Sequence, residues 1–259
     1  MLKAATVTLL LAIAPAAAQA AASADPLGTE TWQDILDLEF DGAEVVYDES
    51  FHLMVPETVE EAFSVPVLMN FVEAPFEVAE IALFAENNPF PQVVRIYPHR
   101  PLDAVGFNIR LERSTPLRAA AMDPDGVWHI VHREVFVGTP GGCSAGAGGG
   151  SGGPRIGDIS MRQFVRTDGE SRLKVRIAHP MDTGLATNEF TGEAIPAYYI
   201  DQVIISDDKG SLARMLLWAS IAANPTILLD LPETQQSVHI SASDTDGDAF
   251  EIDAIPDEF

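Results

Sequence analysis

Cys143 is the single cysteine of a 259-residue chain. It stands near the start of the run Gly138-Thr139-Pro140-Gly141-Gly142-Cys143-Ser144-Ala145-Gly146-Ala147-Gly148-Gly149-Gly150-Ser151-Gly152-Gly153-Pro154. Such a run cannot build a core, so it reads either as a plain linker with an incidental cysteine or as a mobile arm that presents a thiol. A nucleophilic cysteine needs a base held close to it, and flanking glycines supply none. Cys143 is therefore poorly placed as an enzyme's own nucleophile and well placed as a covalent attachment point that enters another protein's active site. A free thiol titrates near ~8.5, and acidic surroundings raise that value, so activation has to come from a partner.

Other residue types that could do chemistry form no constellation. His52, His99, His129, His132, His179 and His239 are scattered. On a strand, His129 and His132 point to opposite faces, which removes the simplest two-ligand metal site, and no metal is expected. Asp244-Thr245-Asp246-Gly247-Asp248 resembles the start of a calcium loop, but its twelfth position is Ile255 instead of a glutamate, so it reads as a hairpin turn. No nucleophile elbow, phosphate-binding lysine loop or dinucleotide fingerprint occurs. No resident cofactor and no independent catalysis are expected.

Length and composition set the frame for the thiol. A central glycine-rich break in a chain of this size predicts two domains of about a hundred residues each. The start, with Lys3, an apolar run from Thr6 to Ala14, Pro15 and the triplet Ala18-Gln19-Ala20, reads as a secretory signal peptide over 1–20. That run is too short to span a bilayer, and the expectation is a soluble exported protein, periplasmic in a Gram-negative source. In an oxidising compartment a lone cysteine implies an intermolecular disulfide or a reactive thiol. A formal net charge of -24 argues against nucleic acid and anionic membrane surfaces.

The elements that would position the arm are short. Trp32, Ile35 and Leu36, with Thr29 or Thr31 as cap and Gly42 as stop, predict an amphipathic helix covering one end of a sandwich. Strands are expected over 51–55, 65–71, 81–84, 93–97 and 107–113. In the last of these, Phe107, Ile109 and Leu111 face inward while Asn108, Arg110 and Glu112 face water. Asp125-Gly126 turns into a strand from Trp128 to Val137. In the second half, strands are read over 172–177, 200–205, 215–218, 227–231, 238–242 and 250–255, with turns at Asp168-Gly169, Asp208-Lys209-Gly210 and Asp246-Gly247. Short strands at regular spacing predict an all-β fold, a β-sandwich twice over. The segments are a sandwich over 21–137, the arm over 138–154 and a second sandwich over 155–259.

The first domain resembles SoxY through Pro56-Glu57-Thr58-Val59, Val65-Pro66-Val67, Asn87-Asn88-Pro89-Phe90-Pro91, Asp125-Gly126, and the approach Arg133-Glu134-Val135-Phe136-Val137 to Gly141-Gly142-Cys143. The second resembles SoxZ through His179-Pro180-Met181-Asp182-Thr183-Gly184, Ser220-Ile221-Ala222-Ala223-Asn224-Pro225 and the Asp244 to Gly247 turn. The resemblance to the SoxYZ family implies immunoglobulin-like β-sandwiches and a sulfur carrier for thiosulfate or related sulfur oxidation. It implies that Cys143 holds the cargo, that Gly141, Gly142, Gly146 and Gly148 form the arm, and that haem-containing, hydrolase and dehydrogenase partners visit it. Fused chains of this kind also resemble SoxYZ-like proteins associated with quinoprotein dehydrogenases that use pyrroloquinoline quinone, which makes an accessory interaction module the alternative. One departure stands out. In the family's separate SoxY chain the arm ends two glycines after the cysteine, whereas here it continues into the second domain. The six residues from Val137 allow a reach of roughly 20 Å at ~3.3–3.6 Å per residue, and the thiol must enter a partner as a folded-back loop.

Overall fold

The computed structural model describes residues 24–144, 154–166, 169–188 and 190–255. The expected signal peptide, Gly146, Gly148 and Asp168 lie outside the described residues. In chain order the elements are α1 (Glu30–Glu39), β1 (Val45–Tyr47), β2 (His52–Met54), β3 (Thr58–Glu61), β4 (Val65–Asn70), β5 (Glu80–Ala85), β6 (Gln92–Pro98), β7 (Ala104–Ile109), β8 (Thr115–Met122) and β9 (Trp128–Thr139). The second half follows with β10 (Ile159–Val165), β11 (Ser171–Ile177), β12 (Asp182–Thr183), β13 (Ala197–Tyr198), β14 (Ile200–Asp207), β15 (Gly210–Leu217), β16 (Thr226–Leu231), β17 (Val238–Asp244) and β18 (Ala249–Ala254). The all-β reading and the single early helix hold.

Alternation of apolar and polar residues places the core between two sheets. One runs β1-β9-β8-β5-β6-β15-β14-β17-β18, with β3 also on β9; the other runs β10-β11-β16-β7-β4-β2. Both sheets cross from the first half to the second. β6 pairs antiparallel with β15 from Val94↔Leu217 to Pro98↔Ala213, and β7 pairs with β16 from Ala104↔Asp230 to Phe107↔Ile227. The two sandwiches are thus laid edge to edge, and one hydrophobic core runs from Phe51, Met69 and Ile81 through Phe107 and Leu229 to Val203 and Ile240. The glycine arm is not what joins the halves. Pairing the edges removes four exposed strand edges that would otherwise invite aggregation.

The helix behaves as its pattern predicts, though it lies on a sheet face and not over an end. Thr29 caps it by accepting from Trp32 N at 3.4 Å, and Trp32 and Ile35 bury against Ala82, Phe84, Ala120 and Ile130 of the ten-stranded sheet. Fully buried Arg118 anchors the approach to the helix. Its Nε meets Glu86 at 2.6 Å, its Nη1 meets Asp25 at 2.5 Å, and its guanidinium lies 4.7 Å from the Trp32 ring centre. The turns at Asp125-Gly126, Asp208-Lys209-Gly210 and Asp246-Gly247 join β8 to β9, β14 to β15 and β17 to β18. In the last, Asp244 Oδ1 accepts from the backbone N–H groups of Asp246 and Asp248, both at 3.0 Å, as a hairpin turn requires.

Candidate functional site

β7 ends at Ile109, and the next three residues turn the end of the strand into a receptor for the arm. The alternation that would send Arg110 and Glu112 into water stops there. Arg110 is buried, its guanidinium donating to the carbonyl oxygens of Met181 and, at 3.0 Å, Pro180 in the second half. Its backbone is gripped as well, with Arg110 N donating to Ser220 O at 2.7 Å and Asn88 Nδ2 to Arg110 O at 2.8 Å. Asn88 also donates to Ser220 Oγ at 3.1 Å and accepts from Glu112 N at 2.9 Å, so one buried amide ties together a first-half turn, the end of β7 and the second half. A buried network with each member satisfied fixes one geometry.

The arm docks on this platform. Gly141 N donates to Glu112 O at 2.8 Å and Gly142 N to Leu111 O at 3.1 Å. Gly141 sits at φ +105°, which favours glycine, and a Cβ on Gly142 would fall 2.3 Å from Ala62 O and 2.5 Å from Leu111 O. The Glu112 carboxylate then takes three donors, Cys143 N at 3.1 Å, Ser144 N at 3.1 Å and Ser144 Oγ at 2.9 Å. From the other half, Thr183 Oγ1 donates to Cys143 O at 2.7 Å and accepts from Leu185 N at 3.2 Å.

Cys143 is 1% exposed, which corrects the expectation of a thiol standing free on an exposed arm. Glycines that permit motion also permit close approach, and here the second property is in use. Burial, and after it the nearby Glu112 carboxylate, push the thiol up to about 12, against the opposing pull of Arg110 and a hydrogen bond with the Ser220 side chain. The direction is the one expected from acidic surroundings, but desolvation is the larger cause. A protonated thiol is the form that tolerates burial, and it is not a nucleophile. In this position the arm stores a thiol.

The loop that receives the arm is shaped by His179-Pro180-Met181. Met181 takes φ +55°, its N–H donates to His179 Nδ1 at 3.2 Å, and His179 Nε2 lies 3.4 Å from Asp244 Oδ2 with both side chains buried. Burial lowers the affinity of His179 for a proton. His129 sits elsewhere, on β9, with Nδ1 at 2.7 Å from Asp48 and its ring stacked on Phe76 at 4.2 Å. Among the described residues no group of three or more His, Cys, Asp or Glu side chains is placed to hold a metal ion, and no helix is long and apolar enough to cross a membrane.

Of the sequence-predicted site residues, the structure brings Gly141, Gly142 and Cys143 together against the platform. Glu112, Arg110, Thr183, Ser220 and Asn88 were not singled out for the site. Asn88, Thr183 and Ser220 lie inside motifs that carried the resemblance, which was a usable signal. Arg110 and Glu112 were hidden by the alternation of the strand they follow.

Comparison with known proteins matches two families, one in each half of the chain. The family model "Sulfur oxidation protein SoxY" matches residues 39–143 and "Sulphur oxidation protein SoxZ" matches 161–254. The first match ends on Cys143. No curated protein matches. Among solved structures, the sulfur carrier protein SoxY from Chlorobium limicola f thiosulfatophilum is similar at 19% identity, covering 41% of this chain and 96% of that one with a TM-score of 0.37. A superoxide reductase (neelaredoxin) variant from Ignicoccus hospitalis is similar at 22% identity, covering 34% and 78% with a TM-score of 0.30. With SoxY and SoxZ matched in order along one polypeptide whose sheets pass from one into the other, the chain belongs to the SoxYZ sulfur-carrier family as a fused SoxY–SoxZ protein.

Proposed function

We propose that this chain is an exported, non-catalytic carrier that holds a sulfur-containing group covalently on Cys143 and presents it to periplasmic redox enzymes. The observation that carries the reading is the position of the sole cysteine. It closes the SoxY match on a Gly-Gly-Cys arm, and its backbone is held from both halves, by Glu112 on one side and Thr183 on the other. The arm is held by hydrogen bonds to Leu111, Glu112 and Thr183, and it buries one small side chain, so its release breaks a handful of bonds and uncovers the thiol.

Loading joins the Cys143 sulfur to the sulfur of a thiosulfate-type anion. The S–S bond forms as the thiol gives up its proton and two electrons leave the pair, taken up by a haem-containing enzyme that supplies the oxidant. The carrier provides the thiol and the tether, and the partner provides the base and the electron sink. Intact-mass measurement of the exported protein, before and after mild reduction, tests this. A reducible adduct that vanishes with Cys143→Ser supports it, and an unmodified thiol in cells actively oxidising thiosulfate rejects it. The same spectrum reads the amino terminus, where cleavage near Ala21 is the outcome that supports export.

A second reading, an accessory module of an exported quinoprotein dehydrogenase in which Cys143 carries no sulfur, is favoured by the thiol's burial and by a chain that continues past it. It requires that Cys143→Ser leave both co-purification with the dehydrogenase and the host's alcohol oxidation unchanged.

A further inference from the structure

We propose that the outer face of the six-stranded sheet is a docking surface for an acidic protein partner, gripped by Lys174 and Arg176 on β11 and by an apolar groove across β16, β7, β4 and β2. Cross-strand partners share a face of a sheet, so the register gives the surface directly. One row reads Arg162, Lys174, Leu228, Gly106, Leu68, Met54 across all six strands. Arg162, Lys174 and Arg176 are exposed, and so is Met54. At Gly106 a Cβ would meet Leu68 Cδ1 at 2.9 Å and Leu228 Cβ at 3.6 Å, so the two leucines close over the glycine. They form the floor of an open groove of about 520 Å³ whose walls include Met54, Pro56 and Pro66. The corresponding outer face of the first half's other sheet is covered by α1; this one is not.

Charge selects the occupant. Six of the chain's 15 lysines and arginines fall between Arg155 and Arg176, among three carboxylates, while the other nine are set against 36. In the first half the two most enclosed pairs take up Arg95, with Glu39 and Glu80, and Arg118, with Asp25 and Glu86. On this face Asp230 takes Arg172 at 2.5 Å and Arg166 at 3.3 Å, and among the described residues Lys174 and Arg176 have no ion-pair partner. Adjacent outward positions on a strand are ~6.6 Å apart, so Lys174 and Arg176 stand side by side on the face. Such a pair with apolar anchors beside it matches the apolar centre and charged rim of a protein interface.

A second copy of the chain fits poorly. A two-fold contact on this face would set cations against the apolar groove or against each other, and a head-to-tail contact would not close. A bilayer or a polynucleotide presents its phosphates continuously, to the acidic remainder of the molecule as well as to this patch, whereas a protein can set its carboxylates against the patch alone. The groove ends at Pro66 and Asn108, and Asn108 is two residues from the Arg110 that supports the arm. A partner seated here lies beside Cys143, a consequence that rests on the carrier reading, whereas the docking itself does not.

A photo-crosslinking residue placed at Lys174 in the exported full chain, in its own host, captures whatever occupies the face. The captured protein is then purified and its affinity measured against the natural chain, Lys174→Glu with Arg176→Glu, and Leu68→Ser, each checked for unchanged melting. The expected result is an acidic protein whose binding weakens roughly tenfold or more in both variants, with salt weakening only the natural chain and the apolar variant. No capture, or a captured protein that binds all variants alike, overturns the proposal. So does binding to phosphatidylglycerol vesicles, or self-association, that the charge reversal abolishes. Cys143→Ser separates the two readings, because docking must survive it while an adduct cannot.

Discussion

Cys143 binds its proton more tightly in the docked arm than in water, because burial and the Glu112 carboxylate both disfavour the thiolate. The sign follows from linkage. Docking is fully supported below the pKa of the released thiol, near ~8.5, and loses support as pH rises toward the docked value of about 12. Iodoacetamide needs the thiolate, which the docked arm withholds, or else an arm that has first left the platform. At pH 8 the free thiol is roughly a quarter ionised, while the docked one stays protonated. Alkylation of the folded protein is therefore expected to run about tenfold or more slower than that of a peptide copy of the arm, and to keep rising with pH beyond 9, where the peptide's rate levels off. Equal rates for the two would remove the docked thiol from the account.

At the scale of the element, the arm is a strand extension that hydrogen-bonds to the end of β7, and its grip depends on a glycine. Gly142→Ala would set a methyl 2.3 Å from Ala62 O and 2.5 Å from Leu111 O, both backbone atoms that cannot swing aside. The arm must lift, losing the bonds from Gly141 and Gly142. Two bonds of ~1 kcal/mol each amount to about a thirtyfold larger released population, and alkylation should quicken accordingly while the melting temperature barely moves. An unchanged rate would mean that the arm is held by something else. The same element shows how far the sequence could be read. Phe107 and Ile109 announce β7 by alternation, and the Gly-Gly-Cys run announces a site. Alternation says nothing about where a strand stops, however, and β7 stops at Ile109, one residue before Arg110 turns inward to the second half's carbonyls. Glu112, polar in a polar-looking place, gives no local sign that three donors from the arm converge on it.

At the scale of the whole molecule, the sequence's glycine break predicts two sandwiches but not how they meet, because a pattern of strands does not reveal which edges pair across about 120 residues. The pairing of β6 with β15 and β7 with β16 makes one double sheet with one core, and Thr183 and Ser220 reach Cys143 only because of it. Covalent continuity through residues 145–153 is then dispensable for the fold, though not for the path of the arm. A protease site inserted between Gly148 and Gly149 tests both points. After cleavage the halves should elute together and melt in one transition, with a midpoint that now depends on protein concentration, as for any complex whose folded parts need each other. Two separate transitions, or halves that part on a sizing column, would show that the shared sheets do not carry the assembly. Cleavage also turns a loop fixed at both ends into an arm with a free end, so a partner with a narrow channel should load Cys143 faster on the cut protein. A partner whose cleft admits two passes of backbone should load both forms at the same rate.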